Sequence, residues 1–261
     1  MVPLVVYGVL VLPAEVFALL LGLLLVAGAW EWGHLVPLAG GVSRLFYCAA
    51  VAALMWLLWQ VGLSVAIGWL LALAVMWWLF ALYWLTHPQL CVLAGAACTG
   101  FKLLAGALVI VPAWAALVVL HASGPDGPML TLGLMVMVWL ADSGAYFAGR
   151  QWGRNKLAPL ISPGKTREGA YGGLLASLLF VAVAAALYSH SLRWTLACLL
   201  ASLVAMLFSI AGDLLESLMK RQSGIKDSGH IIPGHGGILD RLDSLVAAAP
   251  LFLAGFKWLD L

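Results

Sequence analysis

Charge is what this chain has least of. Only 24 of its 261 residues are Lys, Arg, Asp or Glu (9%), against 64% hydrophobic residues and a mean hydropathy of +1.07. So little polar surface excludes a water-soluble globule. The apolar runs also lack the two-residue alternation that would make a membrane barrel. Cysteine is scarce and scattered: Cys48, Cys91, Cys98 and Cys198 lie in apolar surroundings without paired metal-ligand spacing, which argues against zinc and against a disulfide framework. The opening "MVPLVVYGVLVL" has no basic residue and is too short to cross a bilayer alone, so it is neither a good signal peptide nor a complete span. No internal repeat is visible.

What remains is a succession of apolar runs of roughly 20 residues, the length needed to cross about 30 Å of hydrocarbon as α-helix. The expected fold is therefore all-α, a polytopic bundle forming one integral membrane domain. About eight spans, within a range of seven to nine, are predicted at 14–30, 45–61, 63–83, 101–120, 129–148, 171–189, 194–211 and 244–259. Residues 91–100, "CVLAGAACTG", either extend the fourth span backwards or lie in the interface.

The few charges are not spread evenly. Seven fall between 139 and 168 and nine between 213 and 243. The region 1–138 is mostly apolar spans, which leaves 139–250 as the chemical region. Two spans separate the islands, so both emerge on one face, and Arg150, Arg154, Lys156, Lys165 and Arg167 mark that face as cytoplasmic by the positive-inside rule. A soluble substrate could reach both.

The first island begins with Asp142 at the polar end of a span and reaches "SPGKTREG" at 162–169, where Pro163 and Gly164 break any helix. Ser162, Lys165, Thr166 and Arg167 suit phosphate, through exposed N–H groups, hydroxyls and cations, though in isolation their default reading is a solvated basic loop at the lipid headgroups. In the second island, a helix continued past 211 aligns Asp213, Glu216, Ser217 and Lys220 on one stripe. A Glu216–Lys220 surface pair is the plain account of that stripe, but it leaves Asp213 unexplained beside hydrocarbon. The glycine-rich "KDSGHIIPGHGGILDRLD" follows at 226–243, ending in Asp240 and Asp243 at the start of the last helix. Magnesium usually takes one or two protein carboxylates with water and substrate phosphates, and Asp213 and Asp240, at helix–loop junctions on either side of the loop, are the expected pair. Lys220, Arg221, Lys226 and Arg241 would face phosphate oxygens, with Gly236 and Gly237 letting the backbone approach. His230 and His235 are acid/base groups or loop residues.

The run Ser217, Lys220-Arg221, Lys226-Asp227, Gly229, Pro233, His235-Gly236-Gly237 and Asp240-Arg241-x-Asp243 resembles the signature of the phosphatidate cytidylyltransferase family. The segment 142–173 is similar to the family's preceding cytoplasmic segment, and "AWEWGHL" at 29–35 to its early loop. The resemblance implies a multi-pass cell-membrane enzyme, in the inner membrane if the cell is Gram-negative, that makes CDP-diacylglycerol and pyrophosphate from CTP and phosphatidic acid. It also implies a Mg²⁺ requirement, membrane lipid as a partner, no nucleic acid, and room for a homodimer. A CTP-dependent lipid kinase, with Asp227 or His235 as base, is the alternative within enzymes. An ion-coupled transporter is the alternative outside them, opposed by the one-sided charges and the missing repeat. A CDP-alcohol phosphotransferase would need clustered aspartates that are absent.

Overall fold

The computed structural model describes residues 2–36, 38, 40–92, 95–188, 191–225, 228–229 and 236–259. Among them are α1 (Val2–Val11), α2 (Ala14–Leu35), α3 (Gly41–Val61), α4 (Leu63–Thr86), α5 (Ala96–His121) and α6 (Gly127–Trp152). A hairpin of β1 (Lys156–Ala158) and β2 (Ser162–Thr166) precedes α7 (Arg167–Tyr188), α8 (Leu192–Ser223) and α9 (Leu239–Trp258). Each predicted span falls on a helix. By length and composition α2 to α8 are long and apolar enough to cross a membrane, seven helices in all among the described residues. The eighth predicted segment is α9, which carries Asp240, Arg241 and Asp243 in its opening turns and is buried without a break from Ser244 to Ala254.

A helix buried all round belongs at the centre of a bundle. Two helices meet that description, α9 and α5, the latter buried continuously from Val109 to Val118, and they pack against each other. Indole N–H groups need acceptors where water is absent. Trp114 Nε1 donates to the Ala18 carbonyl at 3.0 Å and Trp32 Nε1 to that of Lys102 at 2.8 Å, which stitches α2 to α5. Imidazole Nε2 of His121 lies 2.8 Å from the Val9 carbonyl, which fixes α1. At ten residues, α1 is too short to cross a bilayer alone, in line with the reading of the opening stretch.

Two seams of small residues decide where the charged segments meet. Across α6 and α7, a Cβ on Gly144 would lie 2.8 Å from the Gly172 carbonyl oxygen, and one on Gly173 would lie 2.6 Å from that of Ala141. Across α8 and α9, a Cβ on Gly212 would strike the Asp243 carbonyl, and one on Gly255 would come within 2.7 Å of the Ala201 side chain. Only small residues let helices approach backbone to backbone in this way. The helix bearing Asp142 is thereby clamped to the one that follows the hairpin, and Asp213 is brought beside Asp243.

The 32 residues of α8 make it about 48 Å long, well over the thickness of a hydrocarbon core. Its end is set by Gly224, whose φ of +71° is the left-handed conformation glycine adopts without penalty. The N–H groups of Gly224 and Ile225 then close on the carbonyls of Arg221 and Lys220. One detail differs from expectation, and a second decides between open alternatives. The segment read as an irregular basic loop forms an antiparallel hairpin, pinned by Glu168, whose carboxylate accepts from the Arg154 and Asn155 N–H groups and, at 2.7 Å, from Asn155 Nδ2. And residues 96–100 of the ambiguous stretch are the first turn and a half of α5.

Candidate active site

One end of the bundle opens into a cavity of about 620 Å³, lined from both charged segments. Asp142 enters from α6, Lys165 and Thr166 from β2, and Asp213, Glu216 and Lys220 from α8. The first residues of α9 contribute Asp240, Arg241 and Asp243. Three of the four residues expected on one stripe of α8, Asp213, Glu216 and Lys220, line the cavity, and the two islands meet there.

The charges are arranged as cations held by acids. Lys165 Nζ lies 2.5 Å from Asp213 Oδ1, joining the hairpin to α8. Lys220 Nζ bridges Glu216 Oε2 at 3.2 Å and Asp240 Oδ1 at 2.8 Å, joining α8 to α9. The other oxygen of Asp240 accepts from the N–H of Gly237 at 2.9 Å and of Ser228 at 3.3 Å. Asp240 is therefore fully engaged. Its carboxylate folds back over the loop that leads into α9, which Gly236 permits by adopting φ +82°, with Asp240 Oδ2 3.1 Å from where its Cβ would stand.

The remaining carboxylates crowd one another. Asp142 feels the charges of Asp213 and Lys165, and Asp243 those of Asp213 and Glu216. Glu216 is also within hydrogen-bonding reach of both Asp240 and Asp243, yet its Oε1 is buried with no donor among the described residues. Carboxylates in that relation need a shared proton or a cation between them. No three His, Cys, Asp or Glu side chains among the described residues form a ready-made metal cluster. The cavity's carboxylate oxygens, one of them buried without a donor among the described residues, are hard donors of the kind Mg²⁺ takes alongside water and substrate phosphate.

Several expected site residues make contacts within the framework. The Thr166 hydroxyl accepts from the Gly169 N–H at 3.1 Å and caps α7, although Thr166 still lines the cavity. Arg221 Nε donates to the Ile161 carbonyl at 3.2 Å, tying the hairpin to α8 from outside the cavity. Ser162, Arg167 and Ser217 also lie outside its lining, and the Arg167 N–H closes on the Asn155 carbonyl. The Gly237 N–H goes to Asp240 rather than standing open for phosphate. Lys226, Asp227, His230 and His235 lie outside the described residues.

One residue of the site escaped the sequence reading. Glu31 of α2 is 1% exposed. Its Oε2 accepts from the Leu239 N–H at 2.9 Å, at the start of α9, and from Ser228 Oγ at 3.4 Å. A Cβ on Gly229 would collide with Oε1, and one on Gly237 would collide with Ser228 Oγ and stand 2.7 Å from Oε2. Glu31 is thus the post around which both described ends of the glycine loop are wrapped. The signal was present: a lone acid inside an apolar span is a functional marker by default, and "AWEWGHL" holds one.

The profile of a family described as the Cytidylyltransferase family matches residues 1–259. A phosphatidate cytidylyltransferase of Pseudomonas aeruginosa is 44% identical over 255 residues, covering 97% of this chain and 92% of that protein. One from Haemophilus influenzae is 36% identical over 90% of this chain and 88% of its own length. One from Synechocystis is 48% identical over 127 residues, 49% of this chain.

Proposed function

The chain belongs to the cytidylyltransferase family, and from that premise we propose that it joins CTP to phosphatidic acid, giving CDP-diacylglycerol and pyrophosphate. The observation that supports this reading best is the cavity itself, an anion-handling site built where a bundle of apolar helices ends. A phosphate oxygen of the lipid attacks the α-phosphorus of CTP. The bond from that phosphorus to the oxygen bridging the β-phosphorus breaks, and pyrophosphate leaves with the electron pair. The nucleophile is already an anion, so no protein nucleophile is needed. The chain has to bring two polyanions together and offset their repulsion.

Lys165, Lys220 and Arg241 line the cavity and face the phosphates. The first two are held extended by Asp213, Glu216 and Asp240, which fixes their positions before substrate arrives. Mg²⁺ bound here would neutralise triphosphate charge and make the α-phosphorus more electrophilic. Asp213 and Asp243 are its better holders, because each retains a carboxylate oxygen with no donor among the described residues, whereas both oxygens of Asp240 are occupied. Asp240 then acts as the strut that ties Lys220 to the glycine loop. The arginines and lysines around the hairpin support, by the positive-inside rule, a cytoplasmic setting for this end of the bundle.

The test is to supply purified protein with phosphatidate and CTP labelled at either the α- or the γ-phosphate. Transfer of α-label into lipid, with γ-label released as pyrophosphate, is expected. Transfer of γ-label to a lipid alcohol supplied in place of phosphatidate makes the protein a kinase, and no transfer of α-label to phosphatidate removes the cytidylyltransferase reading.

A further inference from the structure

A second polar cavity, of about 250 Å³, lies on the other side of the last turn of α8. Lys220 faces the cavity described above, while Gln222 and Ser223 line this one. Opposite them stands the beginning of α5, with Cys98, Thr99 and Lys102, and His34 closes the wall from the end of α2.

Lys102 is the unusual group. It is only 4% exposed, and no carboxylate among the described residues lies within ion-pair distance of it. Removing an ammonium from water without a counter-charge is costly, and buried charges are ordinarily paired. The groups that share its electrostatics are Cys91 and Cys98. Burial and a hydrogen bond to Cys98 push the Cys91 thiol up to about 11, so it stays protonated and supplies no negative charge. The helix adds to the deficit. Gly95 caps α5 without a side chain, and the opening N–H groups of a helix have no partners within it and carry its positive end. Nearby, Gln222 spends its Nε2 on the Pro88 and Leu90 carbonyls, and its Oε1 is buried with no donor among the described residues.

We propose that this cavity binds a phosphoryl group, either free phosphate or the phosphate monoester of a lipid, with its negative oxygens on Lys102 and the first turn of α5 and a P–OH directed to Gln222. The site is separate from the transferase cavity and does not depend on that reading. Phosphate answers both unsatisfied partners together: it brings the charge that Lys102 lacks and, with one proton on, the donor that Gln222 lacks. Both sources of the ligand can reach an opening at headgroup depth.

The two thiols in the wall report occupancy directly. The full-length protein in detergent is alkylated with iodoacetamide in chloride or in inorganic phosphate at equal ionic strength, and each cysteine is quantified by peptide mass spectrometry. Phosphate is expected to slow alkylation of Cys91 and Cys98 in a saturable manner, with no effect on Cys48 or Cys198. Lys102→Met should raise the half-protecting concentration by roughly tenfold or more, Lys102→Arg should keep it, and Lys165→Met in the other cavity should leave it unchanged. Nanodiscs of phosphatidylcholine with and without phosphatidic acid, free of inorganic phosphate, form the second arm. Protection only there assigns a lipid headgroup, and protection only in the first arm assigns a soluble phosphate. If wild-type protein is protected in neither arm, or Lys102→Met is protected as well as wild type, the site does not exist. Because the readout is alkylation, its failure is independent of whether α-label enters lipid.

Discussion

Replacing Glu31 is the sharpest perturbation the structure offers, because among the described residues this side chain pairs with no cation, and it lines neither cavity. Glu31→Ala removes the acceptor for the Leu239 N–H and for Ser228 Oγ, on residues 2% and 1% exposed. A buried donor left without its partner costs about 1–3 kcal/mol, so the pair loses about 2–6 kcal/mol, with little relief from water. The loss falls on the contact between α2 and the start of α9, and α9 itself stays buried along the length of the bundle. The loop should therefore loosen while the bundle remains folded. If turnover requires the anchored loop, the lower part of that range lowers kcat by roughly 30-fold, at a factor of ten per 1.36 kcal/mol. Glu31→Gln keeps a carbonyl acceptor for Leu239 and gives up only charge assistance, so a loss of about fivefold is expected. The assay is label transfer from CTP to lipid, read beside amide hydrogen exchange at Leu239 and the thermal midpoint in detergent. Wild-type turnover in Glu31→Ala, or unchanged exchange at Leu239, would refute the reasoning. So would an equal collapse of both variants together with the thermal midpoint, which would make Glu31 a general packing residue.

Other expectations bear on the same cavity. Asp213→Asn and Asp243→Asn should each cost roughly 100-fold or more in turnover and raise the Mg²⁺ concentration needed for half-maximal rate. Asp240→Asn should lower turnover with that concentration unchanged, and a shift as large as for Asp213→Asn would return Asp240 to the metal. Gly237→Val should lower both activity and the thermal midpoint, because a Cβ there meets Ser228 Oγ and Glu31; a fully stable, inactive variant would point to substrate obstruction instead. Cysteines placed at Lys165 and Gly224 should be labelled from the cytoplasmic side and one at Ser191 from the opposite side, and labelling of the first two from different sides would break the single cavity.

The convergence of the two charged segments was legible because two spans return a chain to its starting side, whatever the details of packing. Helix periodicity likewise carried Asp213, Glu216 and Lys220 to one face. It could not place the edge of that face. Ser217 sits about 100° round from Glu216 and falls outside the cavity, because its border is drawn by α9 and the hairpin and not by α8. Arg221 and Thr166 looked like phosphate ligands since cations and hydroxyls near glycine usually are. Their acceptor and donor, the Ile161 carbonyl and the Gly169 N–H, are backbone groups that sequence chemistry does not display. Glu31 was hidden for a different reason: its partners lie 197 and 208 residues away. The pair chosen for the metal, Asp213 and Asp240, followed from position at helix–loop junctions. Which carboxylate keeps an open oxygen depends on how the loop folds back.

The length of α8 accounts for the depth at which these groups sit. Counted upright from Leu192 at one boundary, about 30 Å of hydrocarbon is crossed in about 20 residues, which reaches Gly212. Asp213 is then the first residue past the apolar core, and the remaining turns through Lys220 stand in the headgroup layer. A phosphatidate whose acyl chains stay in hydrocarbon presents its phosphate at that level and no higher. A shorter α8 would place its carboxylate in lipid without a partner, and a longer rise before Asp213 would lift the cations beyond the reach of a membrane-held phosphate. The hairpin covers the same level from the side: Lys165 comes down from β2 to meet Asp213, so the cation best placed to receive a water-soluble triphosphate is joined to the acid nearest the lipid. Gly212, one residue earlier, has no room for a side chain against the Asp243 backbone, and this fixes the second acid at the same depth. A site where a nucleotide and a lipid phosphate must meet is thus set by one helix length and one close contact.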